Sequence, residues 1–138
     1  MKSRFCLPVA LWFLAASGCA ILTPYDSGVV SGLEESQRTA DALYAIYSLP
    51  SIDAAGEKMA DDLEAEMKGA IAVQHVRVGE KDSLTRQLSA ILAMLERHRK
   101  ERMDGGPWSP FLLKQKTENI KAMFGIAIRI ERTRRSHP

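Results

Sequence analysis

The sequence predicts an all-α fold, a small antiparallel bundle of about four helices, on three observations. Apolar residues recur at steps of three and four through four separate stretches. Each stretch opens on a residue type that caps helices. Pro50, Gly79 and Gly105-Gly106-Pro107 interrupt the pattern between them. Connections this short make consecutive helices antiparallel neighbours.

The first stretch opens at Ser31-Gly32-Leu33-Glu34, which has the form of a capping box: serine and glutamate satisfy each other's orphan amides. Leu33, Ala40, Leu43, Tyr44 and Tyr47 follow at helical spacing until Pro50. The second begins near Ser51 or Asp53 and puts Met59, Leu63, Met67, Ala70 and Ile71 on one face. Its acids, Glu57, Asp61, Asp62, Glu64 and Glu66, crowd toward the start, where the helix dipole favours negative charge. Asp82 is the expected N-cap of the third. Leu84, Leu88, Ile91, Leu92 and Leu95 form its stripe, and Arg97, Arg99, Lys100 and Arg102 make its end basic. An antiparallel hairpin of the second and third helices would lay Glu57, Asp61 and Asp62 beside Arg97, Lys100 and Arg102. Ser109 and Pro110 suit the N-cap and first position of the fourth helix, with Trp108 and Leu113 at the two positions of a hydrophobic staple. Ile120, Met123, Phe124, Ala127 and Ile128 carry its face onward. Tyr44, Tyr47, Trp108, Phe111 and Phe124 each have a place on a stripe or cap and are expected in the core.

The alternative architecture is α+β, with short strands near 73–78 and 126–132. Val73, Val76 and Val78 are β-branched, and Ile126, Ile128 and Ile130 alternate with Ala127, Arg129 and Glu131. Sustained three-and-four spacing favours helix over strand in the isoleucine segment, whereas the end of the second helix near Val73 to Val78 stays open.

Ahead of these elements lies a different kind of segment. Met1 to Arg4 carries Lys2 and Arg4, an apolar run follows from Phe5 to Leu14, and small residues come next. That order is the layout of a secretory signal peptide. The apolar run falls well short of the roughly 20 residues that span hydrocarbon as a helix. Its end, Leu14-Ala15-Ala16-Ser17-Gly18-Cys19, resembles the lipobox of bacterial lipoproteins. The resemblance implies cleavage before Cys19 and acylation of that residue; several acyl chains hold a protein to a bilayer far better than one. Together with the helical pattern, it divides the chain into a signal peptide (1–18), a lipidated tether (19–30), a helical domain (31–131) and a basic tail (132–138). In diderm bacteria it also implies the periplasmic side of the outer membrane, because Ala20 and not Asp follows the cysteine. An ordinary signal peptide cut after Gly18 or Ala20 would instead leave a soluble periplasmic protein. The resemblance covers these first twenty residues and nothing beyond them.

Composition narrows the chemistry. The only cysteines are Cys6, within the signal, and Cys19, so the mature domain has no disulfide and is held by packing alone. Removing Lys2 and Arg4 from 19 basic residues leaves 17 against 17 acids, a net charge of zero. The distribution is uneven: 13 acids and 6 bases from Cys19 to Glu96, then 4 acids and 11 bases from Arg97 to Pro138. His75, His98 and His137 are scattered, in no metal-ligand spacing, and are expected to be solvated. The acids of the second helix come from one element and read as a solvated or salt-bridged face. There is no Gly-x-Ser-x-Gly elbow, no phosphate-binding glycine loop and no zinc-knuckle spacing. No catalytic residue, metal or cofactor is therefore assigned, and export argues against a nucleic-acid partner. The expected function is non-catalytic: a membrane-anchored helical module that binds another envelope component. The alternative is a module that engages anionic lipid or wall polymer through its basic C-terminal region; a hydrolase is a third reading without supporting residues. The residues singled out are Cys19 for lipidation and Arg129, Arg132 and Arg134 for contact with the partner.

Overall fold

The computed structural model describes residues 24–136. Four helices fill almost all of this span: α1 (Ser27–Tyr47), α2 (Ala54–Val78), α3 (Ser83–Gly105) and α4 (Pro110–Thr133), with a short 3-10 turn (Arg134–Ser136) continuing from α4. Among the described residues no strand occurs. Each helix packs on its sequence neighbour and α1 also packs on α4, which closes an up-down-up-down square. At 21 to 25 residues the helices are roughly 32 to 38 Å long. The start of α1, the α2–α3 turn and the end of α4 share one end of the bundle, called here the tether end. The α1–α2 and α3–α4 connections share the other, the far end.

The caps fall where short polar side chains meet the apolar pattern. Asp53, Asp82 and Ser109 cap α2, α3 and α4 by accepting from Gly56, Leu84 and Leu112 amides. Gly79 and Gly106 follow the ends of α2 and α3 at φ +92° and +77°, a backbone conformation that a side chain disfavours. The first cap differs from expectation. Asp26, not Ser31, caps α1 by accepting from the Gly28 amide, so the helix starts at Ser27 and takes in residues assigned to the tether. The earlier start brings Val30 onto the buried face ahead of Leu33.

Both valine- and isoleucine-rich segments are helical. In a strand, Ala127 and Ile128 would face opposite sides; here both are buried with Phe124, as a 3.6-residue period requires. In α2 the burial sequence Leu63, Met67, Gln74 keeps helical step, and Val73 and Val76 are left on the outer face. The core otherwise follows the expected stripes, with Tyr44, Tyr47, Leu63, Met67, Leu84, Leu88, Ile91, Ile120 and Phe124 almost wholly enclosed. Phe111 departs from expectation: it is 77% exposed, because the first turn of α4 turns that position away from α1 and α3. At the α1–α2 corner Gly56 allows close approach, since a Cβ there would lie 2.9 Å from Ile52 Cγ2 and 3.0 Å from Ile46 Cγ2. No helix among the described residues is long and apolar enough to cross a membrane.

Candidate functional site

The tether end is organised around one carboxylate. Glu131, in the last turn of α4, is fully buried. Its Oε1 accepts from the Asp26 amide at 2.8 Å and from Arg77 Nη2, on α2, at 2.5 Å. Its Oε2 faces Arg134 Nε at 3.1 Å. Arg77 reaches further, donating to the Pro24 carbonyl at 2.9 Å and to Gln74 at 2.7 Å. Arg134 also pairs with Asp82, the N-cap of α3, at 2.7 Å. Buried ions of this kind are tolerated when paired, and Glu131 Oε2 and Arg134 Nε have this ion pair and no hydrogen bond to satisfy them. The network joins α2, α3, α4 and the chain entering α1, and so fixes Pro24 and Asp26 to the body of the bundle. Arg135 adds a cation–π contact with Tyr25, 5.8 Å from the ring centre.

The far end is knitted by aromatic rings. Tyr44, Tyr47, His98 and Trp108 meet with ring centres 5.0 to 5.9 Å apart, mostly edge to face. Trp108 is held by its amide, which donates to the Tyr47 carbonyl at 3.0 Å, and Lys116 lies over its ring at 5.2 Å. Tyr44 Oη and His98 Nδ1 share a 2.6 Å hydrogen bond across the bundle diagonal. His98 is thus buried, 2% exposed, and not solvated as expected. Burial, helped by the Lys116 ammonium, pushes its pKa down to about 4. Burial also raises the Tyr44 hydroxyl well above its ordinary value and Tyr47 to about 12. At neutral pH all three groups are uncharged. The pair is closed off from solvent, so it offers no surface on which a substrate could meet a base.

What the far end does present is apolar. Phe111, Met103 (68% exposed) and Leu49 (51%) project there, and grooves lined by Ile52, Gly56 and Met59 lie alongside. Asp53 and Glu57 are exposed in the same region and form no salt bridge among the described residues.

Of the residues marked in the sequence, Cys19 lies outside the described residues. The three arginines separate. Arg129 is exposed and in no salt bridge among the described residues. Arg132 is exposed but pairs with Glu34 of α1 at 2.8 Å. Arg134 is only 14% exposed and is committed to Asp82 and Glu131. Three of the buried polar residues that sequence reasoning missed, His98, Arg102 and Glu131, continue an apolar stripe at the correct step. His98 is three residues past Leu95, Arg102 four further, and Glu131 four past Ala127. That step was the available signal.

Among the described residues no group of three or more histidines, cysteines or acids is placed to hold a metal ion. Comparison with family models, with curated proteins and with solved structures found no match to this chain.

Proposed function

We propose that the protein is an envelope lipoprotein, held by lipid on Cys19 to the periplasmic side of the outer membrane, whose bundle docks another envelope protein through its far end. The observation that carries this reading is the placement of Phe111, Met103 and Leu49. Half of the large apolar side chains exposed among the described residues gather at the end opposite the tether, where an anchored bundle would present them to the periplasm. Asp53 and Glu57 beside them match a partner face that is apolar and rimmed by basic groups. A buried, neutral Tyr44–His98 pair supports a non-catalytic role.

The test places a photo-crosslinker at position 111 or 103 of the full-length protein in cells, with position 38, midway along α1, as comparison. The reading expects one protein product from the two tip positions and none from position 38. It expects Phe111→Ser with Met103→Ser to abolish that product and to fail to complement a null strain. Equal labelling from position 38, or full complementation by the double variant, overturns it. For the anchor, Cys19→Ala should release the protein from the membrane fraction or leave an uncleaved precursor. Normal membrane retention of a cleaved Cys19→Ala chain overturns that part.

A further inference from the structure

We infer that the tether end is itself a lipid-binding surface, which seats the bundle upright on anionic headgroups of the membrane to which it is anchored. The inference rests on the lipidated-tether reading for its geometry but not for its test. Two independent features of the fold converge on it.

The first is reach. Glu131 and Arg77 bind the backbone of Asp26 and Pro24, so only five residues of sequence, Cys19 to Thr23, separate the lipid-bearing position from the first point held to the bundle. Five residues span at most about 18 Å. The tether end therefore cannot leave the headgroup region by much more than two Debye lengths, each about 8 Å at physiological salt. The second is residual charge. Most charges of this chain are spent on one another. Five exposed basic side chains form no salt bridge among the described residues: Arg38, Lys81, Arg86, Arg129 and Arg135. Four of the five, all but Arg38, lie in the α2–α3 turn, the first turn of α3, the last turns of α4 or the 3-10 turn. Two exposed acids, Asp26 and Glu80, oppose them there, so the surface is positive on balance. The far end has the opposite sign, through Asp53 and Glu57. Val76, in the last turn of α2, is 91% exposed and adds an apolar side chain that can enter the headgroup layer. A basic surface with an exposed apolar side chain, pinned beside a lipid anchor, fits anionic lipid better than a folded protein partner.

The experiment uses the mature chain with Cys19→Ala, so that no acyl chain contributes. It is sedimented with vesicles of phosphatidylcholine alone or mixed with phosphatidylglycerol. Binding is expected to the mixed vesicles only, and to fall steeply as salt rises. Each basic side chain near the surface should contribute roughly fivefold, so K81Q/R86Q/R129Q/R135Q should weaken binding several hundredfold. Val76→Asp should weaken it further, whereas Arg38→Gln and the Phe111→Ser, Met103→Ser pair should not. Equal binding to neutral vesicles, no binding to either, or an unchanged quadruple variant overturns the inference. None of these results depends on lipidation or on the far-end partner, so the two readings fail separately.

Discussion

Arg102 shows how much one side chain can do away from its own helix. It sits in the last turn of α3, and its guanidinium, 6% exposed with the rest of the residue, donates to the carbonyls of Tyr47 and Leu49, both at 2.8 Å. Those carbonyls belong to the end of α1 and the turn after it, where the helix has orphan acceptors and a partial negative charge. Arg102 is thus a cap supplied by another element, not the salt-bridge partner of Glu57 or Asp61 expected from the sequence. Arg102→Gln should destabilise the domain by about 1.5–3 kcal/mol, the scale of hydrogen bonds to a charged group, measured by denaturant unfolding. Arg102→Lys should recover only part, because an ammonium lacks the planar fork that spans two carbonyls. A loss below about 0.5 kcal/mol, the scale of ordinary surface substitutions, would mean that water caps α1 equally well. His98 gives a second, pH-dependent prediction. Its neighbours are Tyr44, Lys116, Glu101 and Arg97, and its folded pKa lies near 4 against 6.5 for the free side chain. The folded state resists the proton, so its stability is complete above about 6.5 and is lost as the unfolded chain protonates first between 6.5 and 4. Across that window the loss should reach about 3 kcal/mol relative to a His98→Gln variant. Parallel pH profiles for the two proteins would place the proton elsewhere.

At the scale of elements, the apolar period was legible and its polar extensions were not. The stripe of α3 reads Leu84, Leu88, Ile91, Leu95, His98, Arg102, with steps of four and three throughout. The apolar positions identify the helix and its inner face. By residue type His98 is expected in solvent and Arg102 beside the acids of α2, although the period carries both inward. The stripe of α4 behaves alike: Lys116 begins it and Glu131 ends it, and both are buried. The physical reason is that apolar positions announce burial through hydration alone, whereas a buried polar group depends on partners from other helices. Glu131 needs Arg77 from α2, and a single helix's pattern holds no record of that. Phe111 is the converse case, an aromatic expected in the core from its place beside the cap of α4, while its position lies off the stripe. The antiparallel hairpin of α2 and α3 was legible in its charge pattern, but its register was not. Arg99, not Arg97, meets the acids of α2, at 2.8 Å from Asp61 and 3.2 Å from Glu64. Arg97 lies beside Glu101 of its own helix instead. A double-mutant cycle on Asp61 and Arg99 should therefore give a coupling of a few tenths to 1 kcal/mol that shrinks with salt, while a cycle on Asp61 and Arg97 gives none. Coupling to Arg97 of equal size would shift the register of the hairpin.

For the whole molecule, the strong division of charge along the sequence becomes a weaker division along the bundle axis. Antiparallel packing sets the acidic first half against the basic second half, through Arg99 with Asp61, Lys121 with Asp41, Arg132 with Glu34 and Arg134 with Asp82. The exposed charge left over among the described residues is positive around the end where the chain enters α1 and negative around the Asp53 end. This assigns the C-terminal segment two roles that the sequence shows as one basic run. Arg129 and Arg135 face solvent, whereas Arg134 completes the network that holds Glu131 to the chain entering α1. The segment from Arg132 to Ser136, assigned to a basic tail, continues α4 into the folded end. Deleting it would leave a fully buried Glu131 with Arg77 as its sole cationic partner and would strip Asp82 of Arg134. Because Arg77 stays paired, the loss falls below the roughly 3–5 kcal/mol of a buried charge left with no partner, yet it remains a sizeable share of what a domain this size commands. The deletion should therefore lower the denaturation midpoint sharply, while Arg129→Gln and Arg135→Gln leave it within about 0.5 kcal/mol of wild type. It should also free Pro24 and Asp26, so that hydrogen exchange at the Asp26 amide, slow when bonded to Glu131, becomes fast. Slow exchange in the truncated chain would show that Arg77 alone keeps Glu131 on the chain entering α1. The outcome decides how the segment can be studied, since any binding lost on truncation would report unfolding at the tether end before it reported a missing contact.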